Sequence, residues 1–216
     1  AAGPAGGGSG PILRGPDPPR HSPLAASAAV PAARQQHSLR RELYLFALYR
    51  LFESALLALI VFSPAGALLG EMHMPELART VSTTYVVLSG VLLAHAWRLY
   101  RAGPLLRGGV LPHVVVGLGV DLAVVFLAPH ALPAAGPGIA LMFVFNLAAG
   151  ALFLSMPWSM AFAGAATAAL LTQYGWQRME DVAERPLAEV LMFAVAYVAV
   201  AALMHHLGRQ MRAAQR

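Results

Sequence analysis

Six apolar blocks, each about 16–21 residues long, occupy most of the chain after Ser38. That is the length a helix needs to cross the hydrocarbon core of a bilayer. An unclosed backbone survives there only as a helix, because every peptide group must find its partner within the segment. The blocks run from about Leu43 to Phe62, Val81 to Trp97, Pro112 to Ala128, Gly138 to Ser155, Trp158 to Gln173 and Leu187 to Leu207. The expected fold is therefore all-α, a polytopic membrane bundle of six transmembrane helices joined by short loops. No internal repeat is visible, which weakens a duplicated-transporter architecture.

Composition agrees. The chain is 58% hydrophobic and 12% charged, and a soluble domain carries roughly twice that charged fraction. All fifteen basic residues are arginine, and there is no cysteine, which excludes disulfide and thiolate-metal chemistry. The net charge of +5 does not imply a nucleic-acid partner, since the arginines flank apolar blocks rather than forming one soluble face. Their expected partners are the lipid bilayer and its anionic headgroups.

Arginine placement sets an expected orientation. Arg14, Arg20, Arg34, Arg40 and Arg41 precede the first block, Arg98, Arg101 and Arg107 follow the second, and Arg209, Arg212 and Arg216 follow the sixth. The opposite side holds Arg79, Arg178 and Arg185 beside Glu71, Glu76, Glu180, Asp181 and Glu184. The positive-inside rule then places both termini in the cytoplasm. Trp158 and Trp176 lie about 27 Å apart along one helix, close to the thickness of a bilayer core.

Three regions are expected. Residues 1–37, rich in Pro, Gly and Ala, read as a disordered cytoplasmic tail. Residues 38–207 form the six-helix domain, with Ser38 as a helix cap. Residues 208–216 continue the last helix into the cytoplasm as a connector to something downstream. The chain opens on Ala1 rather than Met, which reads as a fragment or a processed product.

Polar residues deep within the blocks are the candidate site. Arg50 lies about seven residues into the first block, and Glu53 is one turn deeper on the same face. Asp121 and Asn146 each lie about nine residues from the cytoplasmic end of the third and fourth blocks. All four fall in one slab of the bilayer. A charge at that depth faces the protein interior and a partner, so Arg50 is expected to pair with Glu53, Asp121 or both. Such a cluster serves as structural glue, as a two-state switch, or as a proton or ion pathway.

His95, His113, His205 and His206 gather at the cytoplasmic edge. Adjacent His205 and His206 diverge by about 100° on a helix and cannot chelate together, so no metal and no cofactor is assigned. Small residues recur through Ala161–Ala169, the pattern of close helix packing within the bundle or at a dimer interface. Pro186 suits a first helical turn with Glu189 in that turn, and Arg209 and Arg212 lie beyond the membrane on the same helix. The helix passes Gly208, which weakens it by about 1 kcal/mol without breaking it. There is no phosphate loop, nucleophile elbow or zinc-helix motif, so no catalytic residue is assigned.

Leu48-Tyr49-Arg50-Leu51, Val120-Asp121-Leu122, the run Ala140–Leu154 with Asn146, and the ending His205–Arg212 carry a family resemblance. From about Arg40 to Arg216 the chain resembles the six-helix N-terminal membrane region of PilS-type two-component sensor histidine kinases. The family often shows a glycine pair after the third helix; here Pro137 separates Gly136 from Gly138. No phospho-accepting histidine box or glycine-rich ATP box lies within these 216 residues, so kinase chemistry is not among them. The resemblance implies a signal-sensing module in a bacterial inner membrane. It further implies a homodimer, a kinase domain in cis, a response regulator, and a small membrane protein such as pilin as signal. Arg50 and Asp121 would be core residues of the sensor, and Pro186–Arg216 its output rod. The competing readings are a small six-helix carrier or channel using Arg50, Glu53, Asp121 and Asn146, and a membrane scaffold subunit.

Overall fold

The computed structural model describes Gly3 and residues 23–64, 72–101, 110–179 and 186–214, with the backbone alone for 23–40 and 211–214. All regular structure among these residues is helical: α1 Pro23–Phe62, α2 Pro75–Arg101, α3 Val110–Ala131, α4 Gly136–Ala151, α5 Met156–Met179 and α6 Leu187–Ala214. A 3-10 turn, Pro133–Ala135, joins α3 to α4.

Helix α1 begins at Pro23, well before Ser38, so helical backbone covers part of the stretch expected to be a disordered tail. Alanine dominates Leu24–Ala33 and is the strongest helix former, and proline fits a first helical position. Residues 1–2 and 4–22 of that tail, the acidic residues Glu71, Glu180, Asp181 and Glu184, and Arg107 and Arg185 in the loops lie outside the described residues.

Among the described residues five helices are long and apolar enough to cross a membrane: Arg41–Phe62, Pro75–Arg101, Val110–Ala131, Pro133–Ala151 and Leu187–Gln210. This makes the chain a multi-pass membrane protein. Helix α5 is not among them although it has 24 residues, because Ser159, Thr167, Thr172, Gln173 and Gln177 dilute its apolar character. It packs against α6 and α3 and more lightly against α4.

Two of those polar residues serve α3. Pro133 has no N–H to give to the carbonyl of Pro129 four residues earlier, and Gln177 supplies it instead (Nε2 to O 3.4 Å). Gln173 donates to the carbonyl of Phe126 at 3.4 Å. Both glutamines are buried, as side chains that finish a helix end inside protein must be.

Helix α3 is the hub, packing against α2, α4 and α5, while α1 packs chiefly on α2 and α6 on α5 and α4. Val114, Leu118, Phe143, Leu147 and Tyr197, each no more than 1% exposed, form the centre of the apolar core. The α3–α4 approach depends on Gly150, where an added Cβ would stand 2.7 Å from Leu118 Cδ1. Leu118 is wholly buried, so its side chain can give way only against a close-packed core.

Gly150→Ala is accordingly expected to destabilise the bundle by about 1–3 kcal/mol, the range for overpacking a dense core. Thermal unfolding in detergent, compared with Gly164→Ala, where added bulk meets nothing within 4 Å, measures this. Equal stability of the two variants would contradict the packing.

Candidate functional site

The four polar residues singled out by depth come together as two linked pairs. Arg50, completely buried on α1, meets Asp121 on α3 in a two-pronged contact. Its Nε donates to Oδ1 at 2.8 Å and to Oδ2 at 3.1 Å, and its Nη2 donates to Oδ2 at 2.7 Å. Glu53, one turn along α1, turns instead to α4, where Asn146 Nδ2 donates to its Oε2 at 2.7 Å. Of the alternatives open to Arg50, the ion pair is with Asp121.

Three further groups build the seat of this pair. The Tyr85 hydroxyl on α2 donates to Asp121 Oδ1 at 3.1 Å, so both carboxylate oxygens are occupied by donors. The Phe46 ring lies 4.5 Å from the guanidinium carbon, a cation–π contact strengthened by exclusion of water. Gly117 lies one turn before Asp121 on α3, and a Cβ there would collide with Arg50 Nη1 and stand 2.7 Å from Cζ. The guanidinium occupies the space that a side chain at 117 would fill.

Tyr85 and Gly117 were not found by sequence reasoning, though each has a signal. A glycine one helical turn from an intramembrane carboxylate marks where a large partner can lie against the backbone. Ser82, Tyr85 and Ser89, spaced by three and four, make a polar stripe on an otherwise apolar helix. All three are buried.

Not every polar atom is satisfied. Arg50 Nη1, Glu53 Oε1 and Asn146 Oδ1 are buried without a hydrogen bond, as are the Ser82 and Ser89 hydroxyls and both ring nitrogens of His113. His113 is buried one turn before Gly117, and its ring stacks on exposed His95 with centroids 5.5 Å apart.

The other histidines stand apart. His206 shares a 3.0 Å contact with Gln210 on the same helix. Among the described residues no group of three or more His, Asp or Glu is arranged to hold a metal. The residues assigned to the output helix lie away from the cluster, along α6. Pro186 precedes the helix and accepts from the Glu189 backbone N–H at 3.0 Å, while Arg209 is exposed near its far end. The side chain of Arg212 is outside the described residues.

A buried pair of this kind is far more sensitive to losing one member than to losing both. Arg50→Met alone or Asp121→Leu alone is expected to destabilise by about 3–5 kcal/mol, and the double variant by much less. Gly117→Ala should behave like a single-charge loss, since it displaces the guanidinium. Unfolding of the four variants in detergent checks this; additive losses in the double variant would argue against the pair. No protein-family model, no curated protein and no solved structure matches this chain, and the site rests on its own geometry.

Proposed function

We propose that the chain is the membrane-embedded sensing module of a bacterial two-component sensor histidine kinase, of the PilS type it resembles. In this reading all six helices α1–α6 sit in the inner membrane with both termini in the cytoplasm. The bundle acts as a homodimer, α6 drives a kinase domain in cis, and that kinase addresses a response regulator. The signal is a small membrane protein such as pilin.

One observation carries the reading: a continuous chain of buried contacts leads from the charged cluster to α6. Asn146 of α4 holds Glu53 of α1. Less than two turns earlier on α4, Ala140 O accepts a 3.0 Å hydrogen bond from the buried hydroxyl of Tyr197 on α6. The Phe143 ring meets the Tyr197 ring edge-to-face at 5.3 Å. Helix α6 then continues unbroken across Gly208 to Ala214, about 42 Å at 1.5 Å per residue. Helix α4 is thus the coupling element. A rearrangement of the Arg50–Asp121 and Glu53–Asn146 pairs shifts α4, and α4 shifts α6 as a rod. Two discrete pairings are what a switch requires.

Asp121→Asn keeps the shape of the side chain but removes the charge that holds Arg50. In cells carrying the protein as encoded, it is expected to fix kinase output at one level, with the protein still present in the membrane. Signal-responsive output in that variant would refute the switch. One residue inserted between Gly208 and Arg209 rotates everything beyond by about 100° and is expected to change output. Liposomes containing the purified chain should show no solute flux; flux abolished by Asp121→Asn would favour the carrier reading.

A further inference from the structure

The unpartnered atoms of the cluster are not scattered. Glu53 Oε1 and Asn146 Oδ1 are the remaining halves of the two groups already joined by the 2.7 Å bond from Asn146 Nδ2 to Glu53 Oε2. With Glu53 ionised, both leftover atoms are acceptors, and neither can satisfy the other. With Glu53 carrying one proton on Oε1, that O–H donates to Asn146 Oδ1. A planar carboxylic acid and a planar primary amide then close a ring of two hydrogen bonds, and both orphaned atoms are satisfied by a single proton.

The charge count points the same way. Arg50 is the one cation of the cluster, against the carboxyls of Asp121 and Glu53, and its Nε and Nη2 are committed to Asp121. Two ionised carboxyls would leave one uncompensated negative charge at bilayer depth, which hydrocarbon does not tolerate. Asp121 cannot take the proton without losing a donor. Its Oδ1 accepts from Arg50 and Tyr85, and its Oδ2 accepts from Arg50. The groups facing Glu53 are Arg50 and Tyr49 from α1, Asp121 from α3, Asn146 from α4 and Tyr85 from α2. Arg50 is the only cation in that set. His113 lies near Arg50 and makes no hydrogen bond to the cluster.

We propose that Glu53 and Asn146 form a buried proton-binding site, a carboxylic acid–amide ring that clasps α1 to α4. Uptake is a proton transfer alone: the Oε1–H bond forms, a hydronium ion is left as water, and no electrons move. Removing the proton sets two acceptors against each other and adds a bare charge, so proton occupancy controls whether α1 and α4 stay clasped. The consequence for kinase output rests on the function proposed above; the proton itself does not.

Infrared difference spectroscopy of the purified full chain in lipid nanodiscs at neutral pH tests the site with no kinase present. The expected spectrum contains the carbonyl stretch of a protonated carboxylic acid that shifts on deuterium exchange. The band should disappear in Glu53→Gln and persist in Tyr49→Phe, whereas in Asp121→Asn, where Arg50 loses its counter-charge, Glu53 should ionise and the band weaken. Its absence from the wild type, its survival in Glu53→Gln, or its loss in Tyr49→Phe would each overturn the proposal. Glutamine reproduces the ring as an amide–amide pair, so Glu53→Gln should unfold at the wild-type temperature while Glu53→Ala unfolds several degrees lower. Equal destabilisation of the two would also count against it. If the band behaves as expected and kinase output ignores Glu53→Gln, the proton site stands and the sensor reading falls.

Discussion

The bundle depends on one interaction, the Arg50–Asp121 ion pair, because either charge alone would be intolerable where it lies. Desolvating a carboxylate or a guanidinium costs several kcal/mol even after local relaxation. Only close, multiply hydrogen-bonded geometry offsets that. Each surrounding feature serves this geometry. The fork of the guanidinium matches both oxygens, Tyr85 closes the remaining lone pair, and the Phe46 ring covers a face of the cation. Gly117 gives up its side chain so that the guanidinium can lie against α3. Since α1 packs chiefly on α2, the arginine reaching to α3 also decides how the first helix is turned.

Placing Asp121 with Arg50 leaves Glu53 to find its own partner, and this division organises α4. Arginine's remaining nitrogen, Nη1, makes no hydrogen bond, so the second carboxyl is not drawn into the ion pair. Asn146 offers a neutral donor instead. The cluster therefore has a rigid half, α1–α2–α3, held by charge, and a half held by one neutral amide contact, α1–α4. The second half is the weaker, because a neutral hydrogen bond in a membrane contributes about 1 kcal/mol. A change in the site would open there first.

Much of this was legible in the sequence. Block length placed the helices in order, and depth alone put Arg50, Glu53, Asp121 and Asn146 in one slab, where the structure joins them. The choice between Glu53 and Asp121 as the partner of Arg50 was not legible. Helices α3 and α4 are apolar on every side, so no stripe says which face meets which neighbour. Gly117 and Tyr85 carry meaning only once Arg50 is known to cross to α3. Gln173 and Gln177 made α5 look less like a membrane helix than its length suggests. The purpose of Gln177 depends on a carbonyl left bare by Pro133, more than forty residues away in the chain. The start of α1 was not legible for another reason: small-residue composition signals disorder, yet a run of alanines is also the cheapest helix to form.

Helix α6 differs from the others in how little of it is held. It is the least buried of the five apolar spans. Val190, Tyr197 and Ala201, buried and spaced by seven and four, mark a single stripe of attachment, while Leu191, Val195, Val198 and Leu203 face outward. A helix fixed along one narrow stripe can slide or turn on its neighbours without opening the core, since small repacking suffices. A helix held all round, like α3, cannot. The one polar anchor described in that stripe, the Tyr197 hydroxyl on Ala140 O, ties it to α4 rather than to α1 or α3. The polar anchor of α6 therefore sits on the helix that the Glu53–Asn146 hydrogen bond also holds, and not on a helix joined by the ion pair.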